Sequence, residues 1–285
     1  MARIPSRVVL VTGCGAGIGR VTAAQLLSRG HVVCASARRR ESVDELTKMF
    51  ADAGDWVMTT RLDVAEPSSF DGVIDAIIGR FGRLDVLINN AAYGQAGAVE
   101  ELTIDAVRRQ FDVNLFGLLE LTQRVLTVMR AAGAGRIINI SSVVAHVALP
   151  FMGAYNAGKS ALNGLTDTMR MELRGSGIDV VLIEPGAIRT SFGDTSVAAL
   201  DASTPAAGSR YAGRYGRWQR RWRQQLGAVA ASPESVARVI VRAVESSRCR
   251  ARYRVTSAAR FGPLLKAVLP DRLVDRLILK MFHAD

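Results

Sequence analysis

Short apolar runs recur along this chain and alternate with longer segments in which apolar residues fall at helical spacing. Val8-Val9-Leu10-Val11 is the first such run, residues 32–36, 56–62, 84–88, 136–140 and 178–183 follow it, and the more polar 251–256 is a candidate last strand. Each is short, rich in β-branched residues and bounded by polar or glycine-containing turns, which reads as a buried strand. Between them, residues 21–29, 67–81, 104–129, 151–174 and 233–246 carry the three-and-four spacing of amphipathic helices. Strands alternating with helices specify an α/β fold, a doubly wound parallel sheet of about seven strands with right-handed crossovers. No linker or repeat interrupts the pattern, so residues 1–285 are expected to form a single domain. Residues 7–190 would be its core, and 191–285 a helical segment over the substrate, a last helix and strand, and a basic tail.

The turn after the first strand reads Thr12-Gly13-Cys14-Gly15-Ala16-Gly17-Ile18-Gly19. Glycines between a strand and a helix let backbone approach a phosphate, and the helix start offers free N–H groups with a positive dipole end. Such a loop alone is also compatible with an ordinary strand-to-helix turn. What raises the dinucleotide reading is the placement of polar residues at the ends of successive strands: Gly13, Arg38, Asp63, Asn90, Ser142 and Pro185-Gly186. In open parallel sheets ligands bind outside those carboxyl ends, so the pattern predicts one cleft. At the end of the second strand, where an NAD site usually carries a carboxylate, stand Arg38, Arg39 and Arg40. A guanidinium holds a phosphate through paired charge-assisted hydrogen bonds, so Arg38 and Arg39, with Ser36 as a neutral donor, point to NADP rather than NAD.

Candidate chemistry lies in Tyr155-Asn156-Ala157-Gly158-Lys159, with Ser142 in the loop after the fifth strand. Residues four apart share a helical face, so the Lys159 ammonium can lie beside the Tyr155 hydroxyl and draw its pKa down toward neutrality. Tyr155 would then exchange a proton with an alcohol or carbonyl, Ser142 would polarise the same oxygen, and hydride would come from the dinucleotide.

Over residues 7–190 these elements together resemble the short-chain dehydrogenase/reductase family. The matching stretches are the loop 12–19, Asp63-Val64, Asn89-Asn90-Ala91, Asn114, Ile140-Ser141-Ser142, Tyr155 to Lys159, and Pro185-Gly186 through Thr190. Ala92 stands where the family usually has glycine, and Ala16 where some NADP-using members carry a basic residue. The resemblance implies that Tyr155 is the acid/base, that Lys159 binds the nicotinamide ribose and lowers the tyrosine pKa, and that Ser142 orients the substrate. It implies that Asn114 anchors a water linking Lys159 to solvent. Ile188 and Thr190 would touch the nicotinamide end, Asp63-Val64 the adenine, and Asn90 the central sheet and cofactor. It also implies a homodimer or homotetramer built through the two long helices.

Composition sharpens this in the last third. Of the net charge of +11, all resides in residues 201–285, which hold 17 Lys and Arg against 6 Asp and Glu. Tyr211, Tyr215, Trp218, Trp222 and Leu226 fall on one helical face among Arg210, Arg214, Arg217, Arg220, Arg221 and Arg223. That face can close over a large apolar substrate, pack into the core, or lie on an anionic membrane surface, as can the leucine-rich stretch 264–282 with Lys266, Arg272, Arg276 and Lys280. No nucleic-acid motif accompanies the charge. The scattered Cys14, Cys34 and Cys249 and the dispersed His31, His146 and His283 suggest neither disulfides nor a metal site. The chain runs from Met1 through Arg7 directly into the first strand, leaving no room for a signal peptide, and no apolar run reaches the 18 or so residues of a membrane span. A cytoplasmic protein, with peripheral membrane contact as an option, is expected.

The leading expectation is an NADP(H)-dependent oxidoreductase interconverting a hydrophobic alcohol, of steroid, retinoid or lipid type, with its carbonyl. A 3-oxoacyl-thioester reductase that docks a carrier on the basic surface is the alternative enzyme. Outside enzymes, the alternative is a catalytically idle dinucleotide-binding protein whose basic surface meets a partner or membrane.

Overall fold

The computed structural model describes residues 6–203, 208–228 and 230–282, with the backbone alone described over 225–228. His283 and the side chain of Leu226 lie outside the described residues, as do residues 1–5. Seven strands form one parallel sheet: β1 (Val8–Val11), β2 (Val32–Ala37), β3 (Val57–Arg61), β4 (Val86–Asn89), β5 (Gly135–Ile140), β6 (Ile178–Glu184) and β7 (Arg252–Arg254). Their order is β3-β2-β1-β4-β5-β6-β7, so the winding reverses between β1 and β4. A crevice opens at such a reversal, outside the strand ends.

Both faces of the sheet are covered, which is why its strands are apolar without strict alternation. Val9, Val11, Val33, Ile88 and Ile138 pack on one side with α1 (Gly17–Ser28) and α9 (Pro233–Glu245). Val8, Leu10, Leu87, Ile137 and Val180 face the other side, toward α3 (Phe70–Phe81) and α5 (Gly117–Ala132). The remaining helices are α2 (Arg40–Met49), α4 (Ile104–Phe111), α6 (Gly153–Glu172), α7 (Phe192–Ser203), α8 (Ala212–Ala228), α10 (Ser257–Val268) and α11 (Asp271–Phe282).

Several elements differ from the sequence-based expectation. Helix α1 starts at Gly17 rather than residue 21, because the glycines belong to its first turn; a Cβ at Gly19 would stand 2.4 Å from the Gly13 carbonyl oxygen. The expected continuous helix 104–129 is split by a π-helical turn, Asp112–Phe116, between α4 and α5. Third, β3 begins at Val57, after a 3₁₀ segment in which Trp56 stays half exposed. The leucine-rich stretch 264–282, given no element from sequence, falls on two helices separated where Pro270 follows Leu269.

The aromatic face of α8 is core. Trp218 is fully buried, Tyr215 and Trp222 nearly so, and Phe151 meets Tyr211, Tyr215 and Trp218 edge-on with ring centroids 5.7, 5.0 and 6.0 Å away. The Tyr215 hydroxyl accepts from the Ala98 amide at 2.9 Å and donates to Glu101 Oε2 at 2.8 Å. Of the three readings of this helix, the membrane surface is thus removed, since its aromatic side chains are not available to a bilayer. Trp222 still reaches the wall of the cleft.

Candidate active site

One cleft of about 1000 Å³ runs along the carboxyl ends of the strands, from the glycine loop to α10 and α11. Gly13, Gly15, Gly17, Ile18, Arg38, Arg39, Asp63, Val64, Asn90 and Ala91 line its first half. Ser142, Tyr155, Lys159, Pro185, Gly186, Ile188 and Thr190 line the middle. Most of the site residues expected from the strand-end pattern therefore meet in one place.

Four of them do not reach the cleft. Ser36 is fully buried and its Oγ donates to the Val11 carbonyl at 3.2 Å, so it is no phosphate donor. Thr12 Oγ1 accepts from the amides of Asn90 and Ala91, at 3.0 and 2.9 Å, and ties β1 to the loop after β4. Gly19 is a packing position, as its contact with Gly13 shows. Asn114 is fully buried in the π-helical turn; its Oδ1 accepts from the Tyr93 amide at 3.1 Å and its Nδ2 donates to the Tyr93 carbonyl at 2.8 Å. Both ends of its amide hold the loop after β4. π-Turns inside helices recur at functional sites, and this one presents Val113 to the cleft.

The glycines serve two kinds of approach. Gly13 and Gly17 have φ of +72° and +59°, values that strain any side chain. A Cβ on Gly13 would stand 2.8 Å from Ala91 Cα, and one on Gly17 would stand 3.0 Å from Thr190 across the cleft. Their bareness thus brings protein segments together as well as opening space for a ligand. Helix α1 has no side chain capping its N-terminus and no acidic residue in its first turn, so its first N–H groups face the cleft mouth uncompensated. Ser42, in the first turn of α2, stands opposite Gly15, 3.3 Å from where a Cβ would be. It lines the same pocket as Arg38 and Arg39 and was not expected from sequence; the signal was its place just after the arginine run, at a helix start.

At the reacting end, Tyr155 and Lys159 are buried on the inner face of α6. The Lys159 Nζ donates to the Ile140 carbonyl at 2.7 Å and lies 5.9 Å from the centroid of the Tyr155 ring. Burial brings the lysine pKa down to about 8. Burial also pushes the Tyr155 phenol well above its ordinary value, and a hydrogen bond with Ser142 opposes the rise. Desolvation is the larger of the two influences on the phenol. A phenol lining the cleft can donate a proton to an oxygen that is gaining negative charge.

A buried network fixes the loop that carries Ser142. Glu184, fully buried at the end of β6, accepts from Asn163 Nδ2 at 3.0 Å and from Arg254 Nε at 3.2 Å, and is paired with Arg252 and with His146 Nε2. Asn163 Oδ1 in turn accepts from Ser141 Oγ at 2.6 Å. The carboxylate is thus compensated from several sides, which a buried charge requires.

Comparison with known proteins settles the family. The model of the short chain dehydrogenase family matches residues 7–200. The chain belongs to that family. It is 34% identical over 277 residues to "Uncharacterized oxidoreductase YbbO" of Escherichia coli, a match covering 97% of this chain and 95% of the relative. It is 34% identical over 189 residues to the 3-ketodihydrosphingosine reductase of Bacteroides thetaiotaomicron, covering 66% of each. The solved structure of a short-chain dehydrogenase from Streptomyces avermitilis superimposes with a TM-score of 0.76 at 30% identity, covering 98% of this chain and 96% of that one.

The enzyme is therefore an oxidoreductase acting on CH–OH groups with NAD(P). The cleft fits a dinucleotide: the uncapped α1 N-terminus and glycine loop suit a pyrophosphate, Arg38 and Arg39 border one end, and Tyr155 with Ser142 stands at the other. Beyond the reacting groups, the wall is made by residues the strand-end pattern did not include. Leu149, Phe192 and Thr195 contribute, together with α10 and α11. The Phe192 ring lies 5.1 Å from that of Tyr155.

Proposed function

We propose that this enzyme uses NADP(H) to interconvert a hydrophobic, lipid-like alcohol and its carbonyl. The observation that carries the substrate class is the lining past Tyr155 and Ser142: Leu149, Phe192, Leu265, Leu277, Ile278 and Phe282 make it mostly apolar, with Ser191, Thr195, Ser257 and Lys266 as its polar members. Such a wall favours a long aliphatic or ring-fused body, with the two hydroxyls as its fixed polar contacts near the reacting oxygen. When bound, the dinucleotide supplies the hydride. In the reducing direction Ser142 donates a hydrogen bond to the substrate carbonyl, Tyr155 gives its phenolic proton to the same oxygen, and Lys159 favours the phenolate that results. The Bacteroides relative, which its name says reduces a ketosphingosine, agrees with a lipid-like substrate.

The NADP preference rests on Arg38 and Arg39, which border the pocket where the adenosine end of a dinucleotide would lie. Arg38 is the better placed, with its Nε 4.0 Å from Asp63 Oδ2 and most of its side chain exposed. Arg217, Arg220 and Arg221, the docking surface of the carrier-thioester alternative, do not line the cleft. Homodimer or homotetramer formation through α5 and α6 is supported by the exposed Leu165 on α6 and Phe116 in the turn that leads into α5. Among the described residues no helix is long and apolar enough to cross a membrane. We place the enzyme in the cytoplasm, with peripheral membrane contact through its basic C-terminal third.

Parallel calorimetric titrations of NADPH and NADH test the cofactor assignment. Wild type binds NADPH more tightly, and Arg38→Ala weakens NADPH about tenfold, the low end for a charge-assisted phosphate contact because the guanidinium is largely solvated. NADH affinity stays unchanged. Equal losses for both nucleotides, or a wild-type preference for NADH, would overturn it.

A further inference from the structure

With the aromatic face of α8 spent in the core, the exposed apolar surface of the C-terminal third lies on α10 and α11. In α10 the residues Phe261, Leu264, Leu265 and Val268 stand at i, i+3, i+4 and i+7, the spacing of a buried helix face, yet all are exposed, Val268 by 81%. Of the described residues of α10 only Ala259 is buried. In α11, Leu273, Leu277 and Met281 make a second exposed stripe at i, i+4 and i+8. Arg272, Arg276 and Lys280 run beside it, one position back along the same helix. Across the two helices five basic residues stand against two acidic ones, Asp271 and Asp275, and Lys266 pairs with Asp271 at 3.1 Å.

This apolar face is also the mouth of the cleft. Phe261, Leu265, Leu277 and Met281 are exposed outside and line the cleft inside, while Val274, Ile278 and Phe282 close its end. The hairpin is anchored, since the Phe282 ring lies 6.0 Å from Trp222 and Arg221 Nε donates to the Met281 carbonyl at 3.0 Å. A ligand leaving the substrate half in this direction passes over exposed leucines. The charge pattern selects what covers them. In a two-fold contact between copies, this face would bring the Arg272, Arg276 and Lys280 row toward its own image, a like-charge arrangement. Against an anionic bilayer the same row sits at headgroup level, with long side chains reaching the phosphates while the apolar stripes enter the acyl boundary.

We propose that the outer face of the α10–α11 hairpin docks on an anionic lipid bilayer and that the substrate enters the cleft directly from the membrane between these helices. The entry step rests on the apolar-substrate reading above; the docking does not.

The test is co-sedimentation of the full chain with phosphatidylcholine vesicles, with and without phosphatidylglycerol. Wild type partitions onto the anionic vesicles and not onto phosphatidylcholine alone. Leu264→Glu with Val268→Glu, neither of which lines the cleft, lowers that partition by at least about tenfold, and Arg272→Gln with Arg276→Gln lowers it on anionic vesicles while leaving the fold untouched. Turnover of a short water-soluble ketone with NADPH is unchanged in both variants, whereas turnover of a long-chain ketone presented in vesicles falls with the partition. Equal partition of wild type and both variants overturns the docking. So does a drop in solution mass by light scattering on making the Glu pair, since the face would then be buried between copies. Loss of membrane dependence with binding intact overturns the entry route alone. An enzyme that binds vesicles but reduces no ketone defeats the proposed function and leaves the docking standing.

Discussion

Replacing Lys159 by methionine should make the protein more stable and inactive at once. The side chain is 2% exposed and its ammonium donates to the Ile140 carbonyl at 2.7 Å. Its pKa falls from 10.5 to about 8, by burial. Because the folded-state value is depressed, the penalty is fully present below pH 8, where both states hold the proton. Between pH 8 and 10.5 the unfolded chain keeps a proton that the folded one gives up, so stability rises with pH across that window. The depression corresponds to about 3 kcal/mol at pH 7. Methionine fills the same space without charge but leaves the Ile140 carbonyl unpaired, which costs about 1 kcal/mol, for a net gain of about 2 kcal/mol. Urea unfolding in nucleotide-free buffer measures it: Lys159→Met has a higher midpoint at pH 7 with the same slope, and the difference vanishes by about pH 10. The raised Tyr155 pKa acts only above pH 10, with opposite sign, and is common to both proteins. A variant less stable than wild type at pH 7, with the pH dependence retained, would show that the lysine is not held at a cost.

Two packing predictions accompany this. A Cβ on Gly117 would fall within 1.7 Å of the Val64 carbonyl oxygen, so Gly117→Ala must push α5 from the loop after β3; a loss of about 2 kcal/mol or more is expected in urea unfolding, with weaker nucleotide binding because Val64 lines the cleft. A change within about 0.5 kcal/mol would mean that the two segments separate freely. Trp218→Ala removes a fully buried ring and should cost about 3–5 kcal/mol, lowering the thermal midpoint by several degrees; a near-neutral result would make α8 a loose cover rather than core.

Much of the architecture was legible because it depends on local pattern. Strands such as Val8–Val11 and Val86–Asn89 are buried on both faces, and nothing but an apolar run can occupy such a place. Strand-end residues from Gly13 to Thr190 collected in one cleft for a related reason, since parallel strands present their carboxyl ends on one side. What sequence did not show depends on neighbours distant in the chain. The π turn at Asp112–Phe116 is set by Asn114 binding the Tyr93 backbone and by Gly117 against Val64, neither of which leaves a local signature. Ser36 looked available beside three arginines, yet its hydroxyl is turned to Val11 inside the sheet. The Tyr155–Lys159 spacing put both side chains on one helix face, whereas their burial was not legible, because a spacing of four says nothing of desolvation. On α8 the aromatic stripe fitted lid, core or membrane equally well, and only the partner Phe151 decided for the core. The exposed stripes of α10 and α11 read the same as buried ones until their surroundings were known.

The central claim is that Tyr155 transfers the proton in NADPH-dependent reduction of an apolar ketone. Tyr155→Phe tests it most directly, with turnover of a long-chain ketone followed by NADPH absorbance and nucleotide affinity measured by calorimetry on the same protein. Turnover is predicted to fall about 10²–10⁴-fold while NADPH affinity stays within about twofold of wild type, since only the proton donor is removed. Retained turnover in a variant that binds NADPH normally would contradict the account and require another proton source in the cleft.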